Sequence, residues 1–424
     1  MENQLPSILL FCAGFLLVDF YLIGGFRAGF KKWKFAQTSA FTFLYWAASI
    51  LLVMGVVVST FRHMGLGARS VILLGFFLMA IAKLLALPFI LIDDIRRLVI
   101  WLKNKTKKEE KPARQPGPYD IPRSEFLMKA GLLAGAIPLG GIVYGTISGV
   151  YDYQVKHRTL YLPNLPKAFD GIKLGQISDI HSGSFYNKKA VTGGVEMLMK
   201  EKPDFIFFTG DLVNSRTDEM YGYQDIFSKV KAPLGVYSSL GNHDYGDYAS
   251  WPTEEASEKN FRDLLATHKN MGWDLLMNEN RRLKVDGEEI GILGVENWGS
   301  MRRFPKRGRL DLATKNTEDL PVKLLLSHDP SHWRAQVLDY PDIDVMFAGH
   351  THGMQFGIQT EHFQWSPIQF VYKEWAGLYR EGKQQLYVNV GYGFLGYPGR
   401  LGMLPEITIF ELKAAADPSL SNKA

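Results

Sequence analysis

A chain of 424 residues, 46% of them hydrophobic, is long enough for more than one domain and for a sizeable core. Its formal net charge of +5 is modest, so bulk charge indicates no specific nucleic-acid partner. The single cysteine, Cys12, excludes an intramolecular disulfide and a cysteine-rich zinc site.

The chain opens with "LPSILLFCAGFLLVDFYLIGGF" (Leu5–Phe26), uncharged apart from Asp19. Next come "AFTFLYWAASILLVMGVVVS" (Ala40–Ser59), which has no charge, and "VILLGFFLMAIAKLLALPFILI" (Val71–Ile92), which has only Lys83. A fourth run, Phe126–Tyr151, has only Lys129 and is Gly-rich and broken by Pro138. A helix of about 20 apolar residues crosses a bilayer core, and each run meets that length. Such runs so close together fit membrane spans better than the buried helices of one soluble core. The expected organisation is three transmembrane helices over 1–103, a basic cytoplasmic linker over 104–125, a fourth span or signal-anchor-like segment over 126–151, an outer domain over 152–413 and a flexible tail over 414–424.

Loop charge sets the orientation. The first loop carries Arg27, Lys31, Lys32 and Lys34, and the stretch from Arg96 to Arg123 is more basic still. The loop between the second and third runs has only Arg62 and Arg69, with His63. Both basic stretches are cytoplasmic only if the N-terminus is outside, so everything after about Tyr151 is expected outside the cytoplasm of a bacterial-type cell. "PRSEFLMKAG" has the look of a worn twin-arginine export signal, with Arg123, Phe126 and Leu127 in place and Ser124 where a second arginine belongs. An ordinary span with a basic flank is the plainer reading of the same residues.

From Lys173 onward short β-prone runs end abruptly in polar, metal-capable residues. "KLGQIS" leads to Asp179 and His181, "DFIFFTG" to Asp211, and "GVYSSLG" to Asn242, His243 and Asp244. "VKLLLS" leads to His328 and Asp329, and "DVMFAG" to His350 and His352. These runs read as buried strands, and helix-like stretches such as Lys188–Lys202 between them predict an α/β domain. Ligands in such domains gather at one end of the strands. Asp179 and His181 alternate along what is expected to be an extended segment, so they would face one side and chelate one ion together. His350 and His352 have the same spacing and the same option. The carboxylate of Asp211 can bridge two cations through its two oxygens. Imidazole and carboxylate donors suit two divalent or transition ions such as Mn, Fe or Zn. Two ions about 3.5–4 Å apart can hold both oxygens of a phosphoryl displacement.

In this order, "DIH", "GD", "GNHD", the single His of "LSHDP" and "GHTH" resemble the calcineurin-like metallophosphoesterases. The likeness runs from about Leu174 to Leu412, and the wider layout, including "PEITIFEL", resembles a membrane-anchored, envelope-facing branch. It implies a four-layer α/β/β/α sandwich behind the transmembrane helices. It implies that Asp179, His181, Asp211 and His352 hold one metal, and Asp211, Asn242, His328 and His350 the other. His243 would act on the phosphoryl group or its leaving oxygen, with Asp244 helping to position it. A hydroxide between the metals would attack a phosphomonoester or phosphodiester in line. The substrate would be a phosphate ester, lipid or nucleotide.

Each residue alone has a plainer reading: an Asp after a strand caps a turn, and a lone His packs or faces solvent. The ordered set outweighs it for the seven ligands and His243, but not for His157, His268, His332 or His362, which match no block. The basic stretch Arg302–Arg309 suits either anionic head groups or plain solvation. The aromatic-rich Gly353–Tyr379 suits a substrate wall, a membrane contact or sandwich packing. A metal-binding membrane sensor without turnover is the competing function. A transporter is weaker, because Asp19, Lys83 and Lys129 outline no ion path.

Overall fold

The computed structural model describes residues 5–61, 66–106, 123–360 and 363–416. It divides into two compact units, Met1–Val143 and Tyr144–Ala424. His63, His362 and most of the predicted linker and tail lie outside the described residues.

Four long helices begin the chain: α1 (Leu5–Gly29), α2 (Ser39–Phe61), α3 (Leu66–Thr106) and α4 (Arg123–Ile147). Each is long and apolar enough to cross a membrane, over Ile8–Gly29, Ser39–Ser59, Gly75–Ile100 and Glu125–Tyr151. Helix α3 runs past the apolar run that ends at Ile92 and past the expected boundary at residue 103, to Thr106. The apolar pattern continues through Leu98, Val99 and Ile100, and Asp93 pairs with Arg96 and Arg97 one turn on. Cys12, Phe15, Val56 and Phe76 pack this unit's core. Asp19 is buried and accepts from Lys83 Nζ at 2.7 Å and Tyr45 Oη at 2.6 Å, so the first three helices share one polar knot.

In the second unit the strands and helices follow as β1 (Gln154–Tyr161), β2 (Lys173–Ile177), α5 (Lys188–Lys200), β3 (Phe205–Thr209), α6 (Gln224–Phe227), β4 (Val236–Ser239), α7 (Glu254–Met271), β5 (Asp274–Leu275), β6 (Glu279–Val285), β7 (Glu288–Gly294), α8 (Leu310–Ala313), β8 (Lys323–Leu326), α9 (Ser331–Ala335), β9 (Val345–Ala348), β10 (Ile358–Gln359), β11 (Gln364–Trp365), β12 (Gly377–Glu381), β13 (Gln384–Val388) and β14 (Glu406–Lys413). Two six-stranded mixed sheets form, ordered β1-β14-β2-β3-β4-β5 and β12-β13-β9-β8-β7-β6.

The central strands are apolar on both faces because both faces are covered. Phe205, Phe207, Phe347 and Phe410 fill the space between the sheets, with the Phe207 and Phe347 rings 5.1 Å apart. Val191, Val195 and Leu198 of α5 and Leu264 of α7 cover the first sheet, and Leu310 and Trp333 cover the second. The layers are therefore α/β/β/α. Helix α5 starts where the Asn187 side chain accepts from Ala190 N, and α7 where Thr253 accepts from Ala256 N.

Candidate metal centre

Strands β2, β3 and β4 run parallel in one sheet, and β8 and β9 run parallel in the other. All five deliver their next residues to one place. The seam between the sheets is stitched there: Gln176 Nε2 donates to Ala348 O at 3.1 Å, and His328 Nδ1 donates to Thr209 O at 2.7 Å.

The ligand-bearing segments are not extended, as alternation had suggested. Asp179, His181, Asp211, His350 and His352 all have positive φ, from 48° to 72°. Such left-handed turns are strained for non-glycine residues, about 1–3 kcal/mol each, and the surrounding bonds hold them. The tight turns set the partnering. His350 and His352 do not clasp one point together; they belong to separate clusters. His352 joins Asp179 and His181, whereas His350 joins Asp211 and His328. Two glycines make room for this. A Cβ on Gly241 would strike Asp211 Oδ1, and one on Gly349 would strike Asp179 Oδ2.

In the first cluster, His181 Nε2 and His352 Nε2 are 3.1 Å apart, and Asp179 Oδ1 is 3.3 Å from His352 Nε2. In the second, His328 Nε2 is 3.1 Å from Asp211 Oδ2 and 3.2 Å from His350 Nδ1. Asp211 Oδ2 is also 3.5 Å from His181 Nε2, which joins the two clusters. Asn242 Oδ1 is buried and accepts no hydrogen bond among the described residues, while its Nδ2 donates to Tyr248 Oη at 2.9 Å. Convergent imidazole nitrogens, carboxylates and an orphaned amide oxygen fit a divalent or transition cation.

Electrostatics agree with that fit. Burial pulls His181 down to about 3 and His350 down to about 4, so both rings are neutral and able to ligate. Burial pushes Asp179 up to about 6 against the pull of His328. Burial also opposes a proton on His328, but Asp211 beside it overrides this and holds His328 up at about 10. His328 and His243 in turn keep Asp211 well below the usual carboxylate range in spite of its burial. The same negative charge that favours a proton on His328 would favour a cation, which would take the place of that proton.

His243 is half-buried beside the clusters. Its Nδ1 donates to Asn214 O at 2.6 Å, its backbone N donates to Asp211 Oδ1 at 2.8 Å, and its ring lies 4.4 Å from that of Tyr248. Asp244 reaches His243 through the backbone and not through its ring, which bonds to Asn214 O. The buried Asp244 carboxylate accepts from the backbone N atoms of Asp211, Leu212 and Gly241 at 2.8–2.9 Å. It ties the turn after β3 to the turn after β4, and burial pushes it up to about 7.

Three supporting residues had no role in the sequence reading. His350 Nε2 donates to Tyr372 Oη at 2.8 Å, and Tyr372 Oη lies 3.5 Å from the buried Asp329 Oδ2. Arg400 is fully buried, with Nη2 3.1 Å from His352 Nδ1 and 2.7 Å from the Val390 carbonyl it donates to. Asp329 directly follows a ligand, and Tyr372 lies in the aromatic segment already singled out; Arg400 had no signal. The other histidines pair elsewhere: His268 with Ser238, His332 with Ser327, and His157 with Glu201.

Comparison with known proteins agrees with this architecture. Residues 172–354 match the family model of the calcineurin-like phosphoesterases, and residues 5–150 match the transmembrane domain of a probable calcineurin-like phosphoesterase. The uncharacterized metallophosphoesterase YkuE of Bacillus subtilis is 29% identical over 307 residues, 69% of this chain and 98% of its own length. A transmembrane protein with metallophosphoesterase domain from Danio rerio is 28% identical over 64% of this chain, which spans 60% of that protein. An uncharacterized metallophosphoesterase of Campylobacter jejuni is 28% identical, covering 64% of this chain and 67% of its own.

Proposed function

We propose that this chain, which belongs to the calcineurin-like metallophosphoesterases and carries an N-terminal transmembrane domain of that kind, hydrolyses phosphate mono- or diesters with the help of two metal ions. The observation that carries the reading is the orphaned Asn242 Oδ1 beside two Asp/His clusters joined through Asp211. Asp179, His181, Asp211 and His352 would hold one ion, and Asp211, Asn242, His328 and His350 the other. Bound ions of this class lower the pKa of water toward about 7 and offset charge on a phosphoryl group.

The remaining work falls to the chain. Asn214 O fixes the His243 ring by its Nδ1–H, so the ring would act at Nε2, passing a proton to the departing oxygen from its imidazolium form and ending as the neutral Nδ1–H tautomer. Asp244 keeps the turns bearing Asp211 and His243 in register through the backbone amides it binds. Tyr372 holds the tautomer of His350, and Thr209 O that of His328. The charge asymmetry of the loops supports an orientation with the second unit outside the cytoplasm of a bacterial-type cell.

The test uses the full chain in detergent, stripped by chelator and reloaded with Mn, Fe or Zn. Elemental analysis should find two ions per chain, and hydrolysis of bis-p-nitrophenyl phosphate or p-nitrophenyl phosphate should return with them. One ion, or two ions without turnover on either ester, overturns the reading. An active cytoplasmic reporter fused after Gly149 overturns the orientation.

A further inference from the structure

An apolar surface that hydrolysis itself does not use flanks the metal centre. Met354, Phe356, Ile358, Phe363, Phe370 and Val371 are all exposed, from 37% at Phe356 to 80% at Phe370. So many large apolar side chains on one segment mark a contact site more often than bare solvent-facing surface. The segment is folded on itself. Ile358 pairs with Trp365 across β10 and β11, and Ser366 Oγ donates to Gly353 O at 2.8 Å.

Two neighbours define what this surface faces. On one side is the candidate site: Met354 comes two residues after His352, and Val371 directly precedes Tyr372, which accepts from His350. On the other is the end of α4. Gln355 Nε2 donates to Tyr397 O at 2.7 Å and Gly399 O at 3.0 Å, and Gly357 N donates to Leu401 O at 2.9 Å. The same 397–401 loop holds the last turn of α4, where Arg400 N donates to Gly145 O at 3.1 Å. Tyr186 Oη adds a bond to Thr146 O at 2.7 Å. The end of a membrane-spanning helix is where the lipid head groups begin, and Tyr144 and Tyr186, both exposed there, are interfacial residue types. At the rim, the guanidinium of Arg303 lies 4.7 Å from the Phe304 ring, which in turn is 4.8 Å from that of His350. A cation there suits an anionic head group.

We infer that the 354–371 surface rests in the bilayer interface, and that the substrate is an amphiphilic phosphate ester whose chains stay in lipid while its phosphate reaches the metal centre. The substrate class rests on the hydrolase reading above; the surface contact does not. Tethering by α4 makes the second contact intramolecular, so shallow insertion of a few side chains is enough.

Two measurements on the full chain, reconstituted in phosphatidylcholine–phosphatidylglycerol vesicles, test this. The first places an environment-sensitive fluorophore at Phe370→Cys or Phe363→Cys in a Cys12→Ala background. Lys383→Cys is the control, at the hairpin tip far along the sheet from Ala348 by register. Labels at 370 and 363 should shift to the blue and be quenched by spin-labelled lipid chains, and the label at 383 should do neither. Equal water exposure at all positions overturns the bilayer contact and leaves the surface to a second copy or a protein partner.

The second measurement compares methyl and dodecyl p-nitrophenyl phosphate. The dodecyl ester should be favoured in kcat/KM by at least about tenfold. The double variant Phe363→Ser/Phe370→Ser should erase that preference and leave the methyl ester unchanged; both residues are exposed, so the fold should tolerate the change. A rate independent of chain length overturns the substrate class. No turnover of either ester by the metal-loaded protein, with the labels still reporting lipid, overturns the hydrolase reading and the substrate class while the bilayer contact stands.

Discussion

The buried charge of the helical unit and that of the metal centre are answered in opposite ways. In the helical unit Asp19 is answered at once, by Lys83 at 2.7 Å and Tyr45 at 2.6 Å, and the ammonium of Lys83 also lies 3.1 Å from the centre of the Phe15 ring. The constellation is closed, as apolar surroundings require. At the metal centre of the second unit Asp179 and Asp211 are buried, and the nitrogens of His181, His328, His350 and His352 turn toward these carboxylates and toward one another. That arrangement is open, because among the described residues no lysine or arginine side chain lies within either cluster. A closed pair contributes to fold specificity; an open cluster keeps its electrostatic demand for a ligand.

The largest effect should come from the residue that joins the two clusters. Asp211→Asn removes the charge next to both His181 and His328. Both ions should be lost or weakened together and turnover should fall by at least about 10³-fold, beyond the 10–100-fold of an outer contact. Two tightly held ions in an active variant, found by elemental analysis, would show that Asp211 does not couple the clusters. The closed pair should respond differently. Asp19→Asn leaves Lys83 buried without its counter-ion and should destabilise the helical unit by about 3–5 kcal/mol in detergent unfolding. Adding Lys83→Met should recover most of that loss, since an uncharged pair of similar size needs no partner. Metal content should stay at the wild-type value in both variants. If Asp19→Asn is as stable as the wild type, the pair is not the structural lock described here.

His243 sharpens the contrast within the open cluster, because it borders the ligands without being assigned as one. His243→Ala should leave both ions bound and lower turnover by about 10²–10⁴-fold on esters with poor leaving groups. The loss should shrink on aryl esters, which depart without a proton. Loss of an ion makes His243 a ligand. Equal losses on all esters mean that it acts through charge and not as an acid.

Much of this was legible in the chain because strand ends mark themselves. Apolar runs stopping at Asp179, Asp211, Asn242, His328 and His350 gave the strands before them and the residues after them. The membrane helices were legible from apolar length alone. Three features were not. The left-handed turns at His350 and His352 leave no sign in spacing along the chain, which allowed the two rings a single ion; the family resemblance alone assigned them to separate ions. Helix α3 runs on from Asn104 to Thr106, residues that a reading by charge assigns to the linker. Arg400 lies 48 residues from His352 in sequence, and only the folded chain brings its guanidinium to that ring.

The smallest predicted effect tests how far the open cluster relies on its outer bonds. His350 is unusual among the candidate ligands in facing the cluster through Nδ1, at 3.2 Å from His328 Nε2. Its Nε2–H must therefore have an acceptor, or the ring would lose the tautomer that leaves Nδ1 free to ligate. Tyr372 Oη takes that proton at 2.8 Å and lies 3.5 Å from Asp329 Oδ2, so the carboxylate is reached through the phenol. Asp329 Oδ2 is itself 3.6 Å from His350 Nε2. Tyr372→Phe removes the intermediary but leaves a carboxylate that a small ring movement can reach. The loss of metal affinity in the Asp211/His328/His350 cluster should accordingly be no more than about tenfold, at the low end for an outer contact. Asp329→Asn, which leaves the phenol without an anionic acceptor, should cost about as much. The double variant should cost more than the sum of the two in free energy, because each single variant keeps one acceptor for Nε2–H and the double keeps none of full strength. Metal titration of the four proteins measures this directly. Additive losses would mean that Tyr372 and Asp329 act on His350 separately and that the relay carries nothing.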